Sequence, residues 1–366
     1  VKLGRLLLAA CVLLGSCEPF ADELDEDRVQ VPVFERARKI APPASPSRLK
    51  VMTWNVKYGA CRIDFWFDGW GDRVQMTASE VRTNLDRIES LLREVDPDLL
   101  FVNEIEVNSR RSAYVDMVQD VLDHTSLNYG AYFQQWDSRY VPSEGLGRVD
   151  MGTAVFSKYP ITFAERIKQP DQTELDPLRK VFYLHQVIGR THVDVGGREI
   201  AAFVTHVSAY DKDGTKVRQL QQLKQVVSEE KLPFVLGGDF NELPPTAVKL
   251  EGFADEEPSL AGTEFEQPPY TPAVMKLFFD AYQPAITLDR IGTTERSQSV
   301  YYTHSIKGPE RGGFWTRQLD HLFVGAGAWV PGTTDVLQSP GRLGIQADPN
   351  TLSDHAPVVG TWELPK

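Results

Sequence analysis

An α/β domain is predicted by the alternation of helix-periodic segments with short β-rich runs along most of a 366-residue chain. A second observation agrees: several apolar runs stop abruptly at Asn, Asp, Glu or His, as buried strands do where an α/β sheet meets its ligand. Apolar residues at 42% and charged residues at 25% are ordinary for a globular protein, so a packed core is expected.

The chain opens with Lys2 and Arg5 and an apolar run from Leu6 to Leu14, the pattern of a secretory signal whose apolar stretch is too short to span a bilayer. Residues 14–17, Leu-Gly-Ser-Cys, look like a bacterial lipobox, so residues 1–17 are expected to be a lipoprotein signal peptide with Cys17 acylated. The plainer alternative is a small residue near an ordinary cleavage site. Several acyl chains on one residue hold a protein at a membrane, where a single chain anchors only marginally. An exported cell-envelope lipoprotein follows as the expectation, leaving the leaflet open. Cys11 would leave with the signal and Cys17 would be capped, so Cys61 stands alone and no internal disulfide is expected.

Residues 18–47 combine an acidic cluster, Asp22 to Asp27, with the proline-rich stretch 41–46, and are expected to form a flexible tether. Residues 48–366, about 320, suit one large domain, with no internal repeat. Thr77-Ala-Ser-Glu80 has the form of a capping box, opening a helix whose Val81, Leu85, Ile88, Leu92 and Val95 recur at helical spacing. A second helix is expected from about Arg110 through Tyr114, Met117 and Val121, and a third after Thr215 through Val217, Leu220, Leu223 and Val227. Strands are expected at 98–103, 152–157, 181–188, 199–205 and 233–238.

The densest stretch is 234–241, Phe-Val-Leu-Gly-Gly-Asp-Phe-Asn. Alternate residues of an extended chain share a face, so Asp239 and Asn241 are expected to converge at a strand end. Comparable endings recur at Asn55, at Glu104, at His206, and at Asp354-His355 before the last strand. Hydrolysis of a phosphoester needs such groups: the anion must be held, its growing charge neutralised, a water deprotonated and aimed, and the leaving oxygen protonated or bound to a metal.

In order along the chain, Trp54-Asn55, Asn103-Glu104, Gly152-Thr-Ala-Val-Phe-Ser157 before Tyr159-Pro160, Thr205-His206, Gly238-Asp-Phe-Asn241, Leu319-Asp320 and Ser353-Asp-His355 resemble the endonuclease/exonuclease/phosphatase superfamily. That superfamily includes deoxyribonuclease I, abasic-site endonucleases, neutral sphingomyelinases and inositol polyphosphate 5-phosphatases. The resemblance implies a four-layer sandwich of two packed mixed β-sheets flanked by helices; periodicity alone does not distinguish this from one sheet. It also implies Mg²⁺, with Mn²⁺ as a substitute. Glu104 becomes the main metal ligand, a hard carboxylate for a hard cation, with Asp354 adding a second oxygen. Asn103 stands where the family usually has Gln, and Glu106 competes with Glu104 at i+2.

Asn55 and Asn241 are neutral donors for phosphate oxygens or for the attacking water, though a lone Asn at a strand end is more often a turn former. Asp239 orients or deprotonates that water. Asp320 accepts from His355, which serves as acid/base or phosphate-binding group, and His206 protonates the leaving group or binds phosphate. The choice of Asp239 or His355 as base stays open.

His321 follows Asp320 and so faces the opposite way, into packing; His124, His185 and His192 read as structural; His304 is a candidate for the lining of the site. The aromatic segments 64–71 and 313–317 are expected on loops at its mouth, where rings stack on bases, pack on lipid or simply cover an apolar edge. Arg317 and Arg179 are candidate phosphate contacts, although an arginine is usually a solvated surface charge. Tyr129, Tyr132 and Tyr140 are alternatives for a phosphate-binding tyrosine.

A net charge of -12 is the wrong sign for nonspecific adhesion to nucleic acid, although a local basic groove can coexist with it. The chain has no Gly-x-Ser-x-Gly, His-Glu-x-x-His or Walker A sequence, which removes serine hydrolase, zincin and P-loop chemistry. Signatures of the 5-phosphatases are also missing. The expected activity is therefore an exported, Mg²⁺-dependent phosphodiesterase acting on nucleic acid, with a sphingomyelinase-like phospholipase C acting on a phospholipid headgroup as the alternative. The non-enzyme alternative is a catalytically inactive surface-binding protein. Lipidated Cys17 would provide a membrane contact, and no protein partner is inferable.

Overall fold

The computed structural model describes residues 21–22, 24–66, 71–173, 184–209, 213–255 and 272–366. Cys17 with its signal-like run, Arg179, and residues 67–70 and 181–183 lie outside them.

The main strands, in chain order, are β1 (Arg28–Gln30), β2 (Val33–Glu35), β3 (Arg48–Asn55), β4 (Leu99–Glu106), β5 (Tyr129–Val141), β6 (Gly147–Ser157), β7 (Ile161–Lys168), β8 (Val187–Asp194), β9 (Glu199–His206), β10 (Phe234–Asp239), β11 (Gln283–Pro284), β12 (Asp320–Val324) and β13 (Val358–Glu363). One mixed sheet runs β5-β6-β4-β3-β13, with β2 paired to β5; the other runs β11-β12-β10-β9-β8-β7-β1. Helices α1 (Ala78–Val95) and α2 (Met117–His124) cover the first sheet, and α3 (Thr215–Glu229) covers the second. The result is the four-layer arrangement of two packed sheets flanked by helices.

Strand alternation explains how the layers bond and where the site falls. In β3, Leu49 and Val51 enter the core between the sheets, whereas Met52 and Trp54 pack outward against α1. In the second sheet Ala202, Val204, Val235, Leu322 and Val324 face inward, while Phe203, Leu236 and Phe323 face α3 and its neighbours. Continuing these alternations places Asn55, His206, Asp239 and Asp320 on inner faces, at the ends of their strands. Register completes the placement: His206 pairs with Asp239 across β9/β10, and Asp239 with Asp320 across β10/β12.

The Gly237-Gly238 pair has a steric cause. A Cβ on Gly237 would lie 2.8 Å from the Phe101 ring of the opposite sheet, and one on Gly238 (φ +145) would lie 2.0 Å from the Thr205 carbonyl oxygen.

Helix α1 has its expected start: the Thr77 hydroxyl accepts from Glu80 N at 3.2 Å and the Glu80 carboxylate from Thr77 N at 2.8 Å. The second helix begins later than expected. Arg110–Ser112 form one 3₁₀ turn, Ala113 and Tyr114 both have positive φ, and α2 starts only where Asp116 caps Gln119 N. Tyr114 is exposed. The strand expected at 181–188 lies at Val187–Asp194.

The expected tether over 18–47 is also corrected. β1 pairs with β7 and β2 with β5, so residues 28–35 of it strap an edge of each sheet. The Arg36 guanidinium donates to the carbonyls of Leu122 and Thr125, and Asn128 holds Ile40 through its N–H and C=O. Acid and proline content, averaged over the segment, masks the period-two run Val29, Val31, Val33, whose last two members pack on the core.

Candidate active site

At the common end of the inner strands, Asn55 is the hub. Its Nδ2 donates to Glu104 Oε1 at 3.0 Å and to Asp239 Oδ2 at 3.2 Å, tying a carboxylate of one sheet to a carboxylate of the other. Asn55 Oδ1 in turn accepts from Lys57 N at 3.0 Å, which fixes the amide's orientation. His355 Nδ1 lies 2.7 Å from Asp320 Oδ2, and its Nε2 is 3.5 Å from Asp239 Oδ2. His206 Nε2 stands 3.8 Å from Asp239 and 3.9 Å from Glu104, and among the described residues its buried Nδ1 has no partner. Asp354 receives the Lys57 ammonium at 3.6 Å.

Glu104 reaches this cluster through a backbone irregularity. The β4/β6 register slips between Val102 and Ile105, and Glu104 adopts φ +56. A bulge of this kind re-aims one side chain, and a non-glycine residue at positive φ is strain that the surroundings must hold in place. Glu104 and Glu106 therefore do not simply share a face, contrary to the i+2 expectation. Glu106 is fully buried and paired with Arg111 at 2.7 Å, away from any role as ligand.

Asn241 also departs from expectation. It lies beyond the end of β10 at φ +43, its N–H bonded to Asp239 Oδ1 and its Nδ2 donating to the Val207 carbonyl. It joins the site through a turn that orients Asp239, not through strand alternation.

Charges in this pocket are strongly coupled. Burial raises Glu104 to about 7, and the nearby Asp354 carboxylate pushes the same way. Burial raises Asp239 as well, against the opposing pull of His355. For His355 burial would lower the pKa, but Asp320 and Asp239 outweigh it and hold the ring at about 10. His206 is lowered by burial, so its ring is neutral at pH 7. Asp354 is lowered in spite of burial, because Lys57, His355 and Arg62 favour its charge.

This donor set fits a divalent cation. Glu104 and Asp354 are hard oxygen donors, partly exposed, and close enough to repel each other's charge, which a cation would relieve. Asp239, Asp320 and His355 also place one ligand atom each within 4.8 Å of one another, but His355 Nδ1 is already taken by Asp320. A second such group, Glu89, Asp120 and His124 on α1 and α2, is filled by the Arg82 guanidinium, which bonds both carboxylates.

The remaining expectations sort as follows. His321 packs against Phe240, Phe279 and Phe323 on the outer face. His124, His185 and His192 stand beside the carboxylates of Asp120, Asp171 and Glu230, away from the site. Arg317 is no phosphate contact: it is fully buried and paired with Asp255 at 2.9 Å. The Tyr132 hydroxyl donates to Asp150, Tyr129 lies under the Lys39 ammonium and Tyr140 is exposed.

Several residues that position the site carry weak sequence signals. Asn103 Nδ2 donates to the Thr205 carbonyl and its Oδ1 accepts from Asp239 N at 2.9 Å, clamping the two sheets just behind Asp239. Ser353 Oγ donates to the Asn55 carbonyl at 2.7 Å and accepts from His355 N. Both stand inside motifs that the sequence marked, Asn103-Glu104 and Ser353-Asp-His355, but only as neighbours of the residues given a role. Asn103→Leu should cost about 2–4 kcal/mol, since two buried backbone groups lose their partners. Thermal unfolding checks this, and an unchanged midpoint would remove Asn103 from the scaffold.

The chain matches the model of the Endonuclease/Exonuclease/phosphatase family over residues 52–355. No curated protein matches it. Among solved structures it resembles an endonuclease/exonuclease/phosphatase from Beutenbergia cavernae, at 18% identity over 87% of this chain and 72% of that one, with a TM-score of 0.51. It is also similar to the human Nocturnin catalytic domain with bound sulfate, at 18% identity over 90% and 96% of the two chains with a TM-score of 0.49. A third similar structure is TDP2 from C. elegans, at 16% identity over 86% and 75% with a TM-score of 0.48.

Proposed function

The chain belongs to the endonuclease/exonuclease/phosphatase family, and on that basis we propose that it is a Mg²⁺-dependent phosphodiesterase acting outside the cytoplasm. The observation that carries the proposal is the Asn55 amide, bonded to Glu104 and Asp239 together and so bringing the metal-binding and water-activating carboxylates into one cluster.

Glu104 and Asp354 would hold the cation, which when bound neutralises charge on the phosphate and on the leaving oxygen. Asp239 is the base. It lies between two imidazoles, and its raised pKa makes it a better proton acceptor than an ordinary carboxylate. His355 does not compete for that task, because with Asp320 behind it the ring already holds its proton at neutral pH. It presents Nε2–H to a phosphate oxygen as a fixed positive donor. His206 is neutral and faces the same space, suited to donate to the leaving oxygen. Asn55 orients the carboxylates without adding charge.

Nucleic acid is the first substrate class. Phospholipid headgroups form a second reading, favoured by one observation: Trp66 and Phe314 are both exposed on loops linked by the Asp64–Arg311 ion pair at 2.6 Å. Those loops are tied to the site, since Arg62 bonds the Ser305 carbonyl and Asn350 bonds the Gly313 carbonyl. Exposed rings at a site's mouth stack on bases or enter lipid.

The test is hydrolysis by the purified protein of plasmid DNA, single-stranded RNA, sphingomyelin and bis-p-nitrophenyl phosphate, with Mg²⁺, with Mn²⁺ and with EDTA. Metal-dependent cleavage that falls at least about a hundredfold in Asp239→Ala and His355→Ala is the expected result, and the preferred substrate separates nuclease from phospholipase. Cleavage that survives EDTA or Asp239→Ala would overturn the mechanism.

A further inference from the structure

His304 belongs to none of the strand-end motifs, yet the fold sets it directly beside His355. Residues 304 and 355 form an antiparallel bridge, flanked by Ser305 N to the Asp354 carbonyl at 2.9 Å and Ala356 N to the Thr303 carbonyl. Opposed residues in such a pair project to the same face and approach closely. The two rings accordingly lie with centroids 4.5 Å apart at an interplanar angle of 59°. On its other edge His304 bridges Arg317, its N–H donating to the Arg317 carbonyl and its own carbonyl accepting from Thr316 N, both at 2.9 Å.

That second neighbour determines the ring's protonation state. Arg317 Nε donates to His304 Nδ1 at 3.1 Å. A guanidinium has donors only and does not lose its proton, so Nδ1 must be the acceptor and the proton of the neutral ring sits on Nε2. Arg317 is itself fixed: fully buried, with Asp255 at 2.9 Å and the Phe253 ring 4.3 Å below its guanidinium. No described group takes Nε2 of His304. A buried Asp–Arg pair adds little stability compared with apolar packing, so stability alone is a weak account of it.

We propose that His304 is a neutral hydrogen-bond donor to a substrate phosphate oxygen, with Asp255 and Arg317 as positioning residues that hold its proton on Nε2. The proposal rests on the phosphoester reading above. A neutral donor next to the charged His355 binds a second phosphate oxygen without placing two cations side by side. This arrangement suits a diester, whose two non-bridging oxygens carry one shared charge.

The test compares His304→Gln with His304→Leu in hydrolysis of bis-p-nitrophenyl phosphate, alongside ¹⁵N spectra of histidine-labelled wild-type protein titrated with inorganic phosphate. Both substitutions remove the Nδ1 acceptor and carry the same structural loss, read as a lowered melting temperature; only Gln returns an N–H near the Nε2 position. The expected results are the Nε2–H tautomer, an Nε2 resonance that moves with phosphate, a loss of about a hundredfold in kcat/KM for His304→Leu, and a loss within about fivefold for His304→Gln. An Nδ1–H tautomer, a resonance that ignores phosphate, full activity in His304→Leu, or equal impairment of both variants would each overturn it. Should His304→Leu fail to fold, His304→Gln and the tautomer decide. If wild-type protein hydrolyses nothing, the phosphodiesterase reading fails by itself, and the tautomer and phosphate shift still judge the donor.

Discussion

Glu104→Gln is expected to abolish metal-dependent hydrolysis, by about 10³-fold or more, and at the same time to stabilise the metal-free protein at pH 8. Both effects come from one carboxylate. Glu104 is raised to about 7 by burial and by the neighbouring Asp354. Its folded pKa lies above the unfolded value, so between the two the folded state binds the proton and the unfolded state does not. Stability of the metal-free protein therefore falls as pH rises through that window, and by pH 8 the full cost of the ionised carboxylate is present. Glutamine keeps an oxygen to accept from Asn55 Nδ2 and removes the charge. A rise of about 2–5 °C in melting temperature corresponds to about 1–3 kcal/mol in a domain of this size, the order of magnitude that a shift from 4.5 to about 7 carries. The gain should vanish near pH 4, where both states of wild-type Glu104 are protonated, and should shrink when Mg²⁺ stabilises the wild type by binding. Thermal scans across pH, with EDTA and with Mg²⁺, measure all three. A variant no more stable than wild type at pH 8 would show that the carboxylates do not repel as the geometry indicates.

What the sequence made legible here follows from what alternation can encode. Asn55, His206 and Asp239 were readable because each ends a regular strand, and period-two alternation carries their side chains to the face shared with Val51, Val204 and Val235; Asp320, which opens β12, came from the motif order and lies on the same face as Leu322. His321 was readable for the same reason, as the outward neighbour of Asp320. Where the backbone leaves that rule, the reading failed in detail. The slip at Glu104 and the turn at Asn241 both use positive φ on non-glycine residues, which no local propensity announces. The motif order still found both residues, but for a reason that alternation did not supply.

Long-range pairing was the least visible. Arg317 has the composition of a solvated phosphate contact, and only the folded chain brings Asp255 and Phe253 around it. Asn103 could be seen as a strand-end amide, but its clamp on Thr205 and Asp239 joins residues 102 and 136 positions away. The strap formed by β1 and β2 was hidden differently: three alternating valines, interrupted by Pro32, sit inside a segment whose average composition is that of a linker.

Asp320→Asn is the substitution that separates the two tasks assigned to His355. The carboxylate lies 2.7 Å from His355 Nδ1, fully buried, with Thr303 Oγ1 accepting from the Asp320 backbone N–H at 3.1 Å. An amide in its place preserves the shape but removes the charge that opposes the desolvation of the imidazolium. The ring pKa, about 10 in the wild type, is expected to fall. Activity should drop by about 10²–10⁴-fold, because His355 then spends part of its time without the proton that contacts phosphate. The profile carries the sharper information. His355 is raised above its unfolded value, so its contribution to stability is complete below about 6.5, the usual value for histidine, and is lost as pH rises toward about 10. In the wild type the alkaline limb of kcat/KM should therefore lie near 10, and in Asp320→Asn it should move toward neutrality while the acid limb, set by Asp239, stays in place. If the acid limb moved instead, His355 would be the base and Asp239 the positioning group. The same pH titration thus decides between the two carriers of the proton that strand geometry alone leaves equivalent, since His355 Nε2 lies 3.5 Å from Asp239 Oδ2, the atom that Asn55 also bonds where the sheets meet.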